Sequence, residues 1–360
     1  MAKQDQHTDD SVLNSIKVSR IILPVLIGLL VVVYLMYRQL DMETFLSVNW
    51  NGRMVLWIGL AILCYLVRHW AYSWRLRGLV DNQFSWPKSA ELIVLWEFSS
   101  AVSPTTIGGA GVAFFMLAQE KLSAAKTVSV VLYSMVVDTL FFVLTVPILY
   151  LVYGSVMIRP GADTAVYDVA FWSIIAFMSV YGLVFFYGLF VNPTAIKRLL
   201  FLLARIPFLK RFQKSIRQTG IDVVTTSKEL RVKPFSFHAQ ALLSTSIAWV
   251  VRFLAINCII IAFVPDVAMD LYSQLLMYAR GESMHIITSF TPTPGGAGFA
   301  EAFFGGFYAE FISPGISTIA ALVWRLVTYY SYLIAGAIII PVWIAEVLAR
   351  RKEERLKQGF

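Results

Sequence analysis

Asp138, Arg252, Glu301 and Arg325 sit in stretches of this chain that are otherwise almost wholly apolar. A charge at mid-bilayer costs about 2.5–3.5 kcal/mol even on insertion scales, so such residues face a partner or water. Two of them share a spacing. Asp138 lies 27 residues beyond Gly111 and Arg325 lies 27 residues beyond Gly298. Each of those glycines closes a similar segment, Ser103 to Gly111 (SPTTIGGAG) and Thr291 to Glu301 (TPTPGGAGFAE). Pro104 and Thr105 match Pro292 and Thr293, and after one extra residue Gly108, Gly109, Ala110 and Gly111 match Gly295, Gly296, Ala297 and Gly298. The chemistry that follows is anion binding. At the start of a half-helix the free N–H groups point forward and the dipole favours negative charge, so the stretches after Gly109 and Gly296 are candidate seats for a phosphate headgroup.

The elements that position these residues must be membrane helices. At 58% hydrophobic and 14% charged over 360 residues, with a mean hydropathy of +0.69, the composition excludes a soluble domain. The net charge of +8 falls between apolar runs and reads as orientation and attraction to anionic lipid, with no nucleic-acid partner. Cys64 and Cys258 fall inside apolar runs and are expected as reduced thiols. Ile21–Tyr37 lacks a small-x-small cleavage site and is expected to stay as a first span.

Taken in order, the pattern predicts a cytoplasmic tail (1–20) and a single membrane domain (21–345). The spans are Ile21–Tyr37, Met54–Tyr72, Thr127–Tyr153, Val169–Val191, Ala239–Phe263 and Ser317–Ala345, followed by a cytoplasmic tail (346–360). Span two leaves through Arg68, Arg75, Arg77 and Lys88, read as a basic cytoplasmic exit. Glu91–Val102 has 12 residues, about 18 Å of helix against a hydrocarbon core of about 30 Å. Glu91–Gln119 and Leu271–Phe311 are therefore read as re-entrant hairpins. The loop 192–237 carries ten Lys or Arg against two acids. Ile196, Leu199, Leu200 and Leu203 recur there at helical spacing, so part of it is expected along an anionic bilayer surface. Basic clusters all fall on one side if repeat one (91–153) and repeat two (271–345) are inserted oppositely. The expectation is an all-α integral membrane protein with six transmembrane helices plus two re-entrant helical hairpins arranged as an inverted repeat.

A break at Pro294-Gly295-Gly296 exposes backbone groups that lipid cannot satisfy, so it is tolerated only against protein or a wet cavity. Two readings stand for the charges. In one, Asp138 and Arg325 form an ion pair that locks the repeats; in the other, Arg252 and Arg325 line an anion site and Asp138 orients one of them. Glu301 either caps its helix or binds. Arg280, Glu282 and His285 are expected as solvated residues of a cavity mouth. The candidate substrate-binding set is Pro104, Gly108, Gly109, Gly111, Asp138, Arg252, Pro292, Pro294, Gly295, Gly296, Gly298, Glu301 and Arg325.

PTPGGAGFAE, its earlier copy and the buried Asp138 and Arg325 resemble the flippase-like transmembrane family of the lysylphosphatidylglycerol synthases, over roughly Ile21–Ala345. The resemblance implies a module that moves aminoacylated or other polar-headed lipids between leaflets. It places Pro294, Gly295, Gly296, Gly298 and Glu301 at the site. Larger members carry a soluble aminoacyltransferase domain, but only about 15 residues follow the last span here, so lipid synthesis by this polypeptide alone is not expected. The first copy has Phe114 where the second has Glu301.

The expected function is transfer of an anionic, aminoacylated or polyprenyl- or sugar-linked lipid across the bacterial inner membrane, with both termini cytoplasmic. No GxxxxGK[ST] loop or GxSxG elbow occurs, and His7, His69, His238 and His285 are scattered; no cofactor or metal is expected. The alternatives are a membrane-embedded lipid-modifying transferase and a scaffold that recruits a cytoplasmic lipid-modifying enzyme through the basic loop. Self-association is compatible with either.

Overall fold

The computed structural model describes residues 50–357 apart from 104–105, 160, 162–164, 204, 206–212, 290, 292 and 297, together with Tyr34, Glu43, Leu46 and Val48. The N-terminal tail (1–20), the expected first span apart from Tyr34, Pro104 and Pro292 lie outside the described residues. All regular structure among the described residues is helical. The elements are α1 (Gly52–Leu79), α2 (Trp86–Val102), α3 (Thr106–Gln119), α4 (Ala124–Tyr153), α5 (Ala165–Phe186), α6 (Pro193–Leu203), α7 (Gln213–Arg231), α8 (Phe235–Phe263), α9 (Leu271–Thr288), α10 (Phe299–Phe307), α11 (Pro314–Arg325) and α12 (Ser331–Lys357).

Among the described residues five helical segments are long and apolar enough to cross a membrane: Gly52–Leu79, Ala124–Met157, Asp168–Val191, Phe235–Phe263 and Pro314–Glu354. They coincide with expected spans two to six. The last comprises α11 and α12, joined by a π-helical turn at Leu326–Tyr330 directly after Arg325. Helix starts follow local chemistry. Asn51, Ser85, Ser123 and Asp270 each accept a hydrogen bond from the backbone N–H three residues on, satisfying a donor that the first turn leaves free. Asp81 and Asn82, at φ of 55° and 59°, turn the chain after α1.

Helix α1 runs seven residues past the expected end at Tyr72. Arg68 and Arg75 are consequently buried inside the helix bundle, at 2% and 7% exposure, and not part of a solvated exit. Polar contacts in the interior make this tolerable. The basic loop forms the paired helices α6 and α7, and Thr226 of α7 donates to the Ala125 carbonyl at the start of α4.

Among the described elements, helices α1 and α8 share the most extensive packing. They lie antiparallel: Arg53 at the start of α1 donates to the Pro265 carbonyl beyond the end of α8, and Gln240 near the start of α8 donates to the Trp74 carbonyl. Each begins a series in the order long, short, short, long: α1–α4, and α8 to the joined α11–α12.

Buried apolar side chains form two main clusters. On α1 the boundary falls between Tyr65 and Ala71, on α4 between Val137 and Phe141, and on α8 between Ala248 and Trp249. Arg68, Asp138 and Trp249 occupy that boundary. The polar residues therefore lie where the apolar interior is interrupted.

Candidate functional site

A cavity of about 280 Å³ opens at this boundary. Its walls carry the guanidinium groups of Arg68, Arg75, Arg252 and Arg325 against the carboxylates of Glu97 and Asp138. His285 and an aromatic set including Tyr72, Trp249, Tyr329 and Tyr332 complete much of the lining.

Helix α1 supplies two of the cations. Arg68 donates to Glu97 Oε1 at 2.8 Å and to the Tyr332 hydroxyl at 3.2 Å, and lies against the rings of Tyr65, Tyr72 and Tyr332. Arg75, two turns further along the same face, donates to Asp138 Oδ1 at 2.7 Å and to Thr245 Oγ1 at 3.0 Å. Trp249 Nε1 donates to the same Asp138 oxygen at 2.9 Å. Asp138 is thus held by α1 and α8. An Asp138–Arg325 lock is not formed, because each of the two residues has a nearer partner.

Arg325 belongs to the second motif. Its Nε lies 2.9 Å from Glu301 Oε1, an ion pair whose geometry is not that of a hydrogen bond. Nη1 donates to the Gly295 carbonyl at 3.0 Å, and the guanidinium stacks on Tyr329 at 3.8 Å. Nη2 is buried with no acceptor. Glu301 also accepts from the Gly298 N–H at 2.7 Å, so it caps α10 and anchors Arg325 at once. Gly295, Gly296 and Gly298 have φ of 56°, 67° and 83°. This left-handed run brings the chain close enough for its carbonyl to meet Arg325, and a Cβ on Gly295 would overlap the Tyr329 ring. Pro294 opens the 3₁₀ turn that starts it. Gly295 and Gly296 line the cavity, whereas Gly298 and Glu301 stand behind its wall.

The first motif differs from its expected form. Gly108, Gly109 and Gly111 are inside α3, which starts at Thr106, so no half-helix begins after Gly109. Thr106-Ile107 replaces the single Pro294, and nothing in that pair obliges the backbone to leave the helix. Gly111 is exposed and its Cα faces open space.

Arg252 lines the cavity from α8 and lies over the Trp249 ring at 5.2 Å. Among the described residues it has no carboxylate partner. Arg280 and Glu282 are wholly buried, contrary to the solvated mouth expected of them. Arg280 is satisfied by the Val156 and Phe307 carbonyls and Glu310, which offset its desolvation. His285 alone of that trio reaches the cavity.

Sequence reasoning missed Arg68, Arg75 and Glu97. The available signal was Tyr65, Arg68, Tyr72 and Arg75 at helical spacing, an aromatic and basic stripe on one face of α1.

Residues 21–336 match the family model described as the lysylphosphatidylglycerol synthase TM region. A UPF0104 membrane protein from Archaeoglobus fulgidus is 24% identical over 298 residues, covering 78% of this chain and 85% of the relative. With a family match spanning most of its length and, among the described residues, five helices long and apolar enough to cross a membrane, this multi-pass membrane protein belongs to the lysylphosphatidylglycerol synthase TM-region family.

Proposed function

We propose that the protein moves a lipid with an anionic headgroup between leaflets of the cytoplasmic membrane, with the headgroup entering the arginine-lined cavity while the acyl chains stay in the bilayer. The observation that carries this is the charge of the site. Arg252 has no carboxylate partner among the described residues, and Arg325 Nη2 has no acceptor. Free guanidinium donors in a low-dielectric recess favour a phosphate oxygen strongly. The volume, about 280 Å³, suits a headgroup and not a whole lipid.

The inverted architecture fits this reading. Helices α1 and α8 are antiparallel, α2 and α3 follow the end of α1, and α9 and α10 follow the end of α8. Two short-helix hairpins entering from opposite faces enclose a central site. Lys88, Lys126, Lys233 and Arg350 gather on one end of the bundle, which we assign to the cytoplasm by the positive-inside rule. Transport is favoured over a transferase because both cavity carboxylates, Glu97 and Asp138, are already engaged by arginines.

The test is a leaflet-resolved assay in proteoliposomes, with phosphatidylglycerol, its lysyl ester and phosphatidylcholine each carrying a fluorescent acyl chain. Anionic and aminoacylated lipids should cross faster with the protein than without it, and Arg252→Ala should slow them. Failure of every lipid to cross, or equal rates with Arg252→Ala, would overturn the proposal.

A further inference from the structure

Glu282 lies twelve residues past the N-cap of α9, as Glu97 lies twelve past that of α2. Their surroundings differ. Glu97 is paired with Arg68 at the cavity wall. Glu282 is 0% exposed, turned away from the cavity towards α4, and forms no ion pair among the described residues. Its Oε1 has no partner, and Oε2 lies 3.0 Å from Thr145 Oγ1. Tyr278, one turn earlier on α9, is the other polar group beside it.

The two contacts of Thr145 bear on where the proton is. Its hydroxyl is 2.9 Å from the Phe141 carbonyl, the usual bond of a helical threonine to the preceding turn. A hydroxyl has one hydrogen to give. If Glu282 were a carboxylate, that hydrogen would serve only one of two acceptors. If Glu282 carries a proton, its O–H donates to Thr145 Oγ1, which in turn donates to Phe141, and both contacts are made.

The other charged and titratable groups around α9 are committed elsewhere. On α4, Asp138 is held by Arg75, and Tyr153 donates to the Tyr272 carbonyl. Asp168 of α5 accepts from Tyr150, and Tyr181 of α5 lies within the electrostatic reach of Asp138. Arg252 of α8 lies over Trp249; Glu301 of α10 pairs with Arg325, and Tyr308 beyond it donates to Met277. On α9 itself, Arg280 is bound to Glu310, and His285 packs against Phe142 and Trp249 on the cavity side.

We propose that Glu282 is a proton-binding site, and that loss and gain of this proton couple lipid transfer to the proton gradient. Helix α9 is the shared wall: Gly281 and His285 face the cavity, and Glu282 faces α4. Releasing the proton leaves a buried carboxylate beside two hydroxyls but with no counter-ion among the described residues, which separates α9 from α4 or admits water. The proton comes from and returns to bulk water, so the step balances as a carboxylate plus a proton giving a carboxylic acid. This coupling rests on the transport reading.

The experiment has two arms. Infrared difference spectroscopy of the purified protein at neutral pH should show a protonated-carboxyl band that disappears in Glu282→Gln and shifts in Thr145→Val. In phosphatidylcholine vesicles containing acyl-labelled phosphatidylglycerol, wild type should accumulate label in one leaflet under a pH gradient. Glu282→Gln should retain downhill exchange and lose that accumulation. Absence of the band, or a gradient response that survives in Glu282→Gln, overturns the proton site or the coupling respectively. A wild type that exchanges no lipid overturns the transport reading, and the coupling with it, while the infrared arm still decides whether the proton is there. Should Glu282→Gln not fold, Thr145→Val carries both arms, with a shifted band and an altered gradient response expected.

Discussion

The two glycine motifs differ more in structure than in sequence. In the first, Gly108, Gly109 and Gly111 are absorbed into α3; in the second, Gly295, Gly296 and Gly298 form a left-handed loop that holds Arg325 by a carbonyl. A proline directly before the paired glycines accounts for much of this, since Pro294 fixes its own φ and lacks an N–H. The buried charges 27 residues on are reversed in sign and differently held. Asp138 is held from outside its motif, by Arg75 and Trp249, whereas Arg325 is held from within, by Glu301 and Gly295. A repeated stretch thus specifies a location for a polar group, and its neighbours decide the conformation.

The sharpest test substitutes alanine in each motif. Gly295→Ala meets the Tyr329 ring and a left-handed backbone that alone costs about 1–2 kcal/mol; its melting temperature in detergent should fall clearly. Gly111→Ala, on an open helical surface, should instead be neutral or stabilising by up to about 1 kcal/mol. Equal losses at both would erase the distinction between the motifs.

Removing one member of each ion pair is the next test. Arg325→Ala strands Glu301, whose side chain is 14% exposed, and should cost about 3–5 kcal/mol. Asp138 is 28% exposed, so Arg75→Ala leaves it better hydrated and should destabilise less, by thermal unfolding of the two variants side by side. Arg252→Ala breaks no ion pair; stability should hold while apparent lipid affinity drops about tenfold, the worth of a charge-assisted hydrogen bond.

The smallest effect lies outside the membrane segments. Asp81 loses hydration, which raises its carboxyl pKa, but Lys126 and Lys233 outweigh this and hold it below the ordinary 3.8. A lowered folded-state pKa contributes stability that is complete above the unfolded value and lost as pH falls below it. Asp81 is 41% exposed, so solvent screening keeps the gain small. Asp81→Asn should slightly lower the melting temperature at pH 7 and narrow its difference from wild type below about pH 3.8.

Much of the architecture was legible because five of the expected spans are set by apolar length. The second motif was legible too, since Pro294 and three glycines permit little else. What escaped were residues whose meaning depends on partners distant in sequence. Arg68 and Arg75 looked like a solvated exit because Glu97 and Asp138, their counter-charges, are 29 and 63 residues away. Arg280 looked exposed for the same reason, its carboxylate being 30 residues on. The helical content of the first glycine motif was also hidden, because glycine permits a break without requiring one.

The division of the apolar interior at Arg68, Asp138 and Trp249 has a mechanical consequence. Interlocked hydrocarbon resists shear, since sliding opens voids on both sides. A layer of guanidinium, carboxylate and indole groups resists it less, because hydrogen bonds can be traded for others or for water as the halves shift. By this argument the two halves slip most easily along the plane that holds the charges.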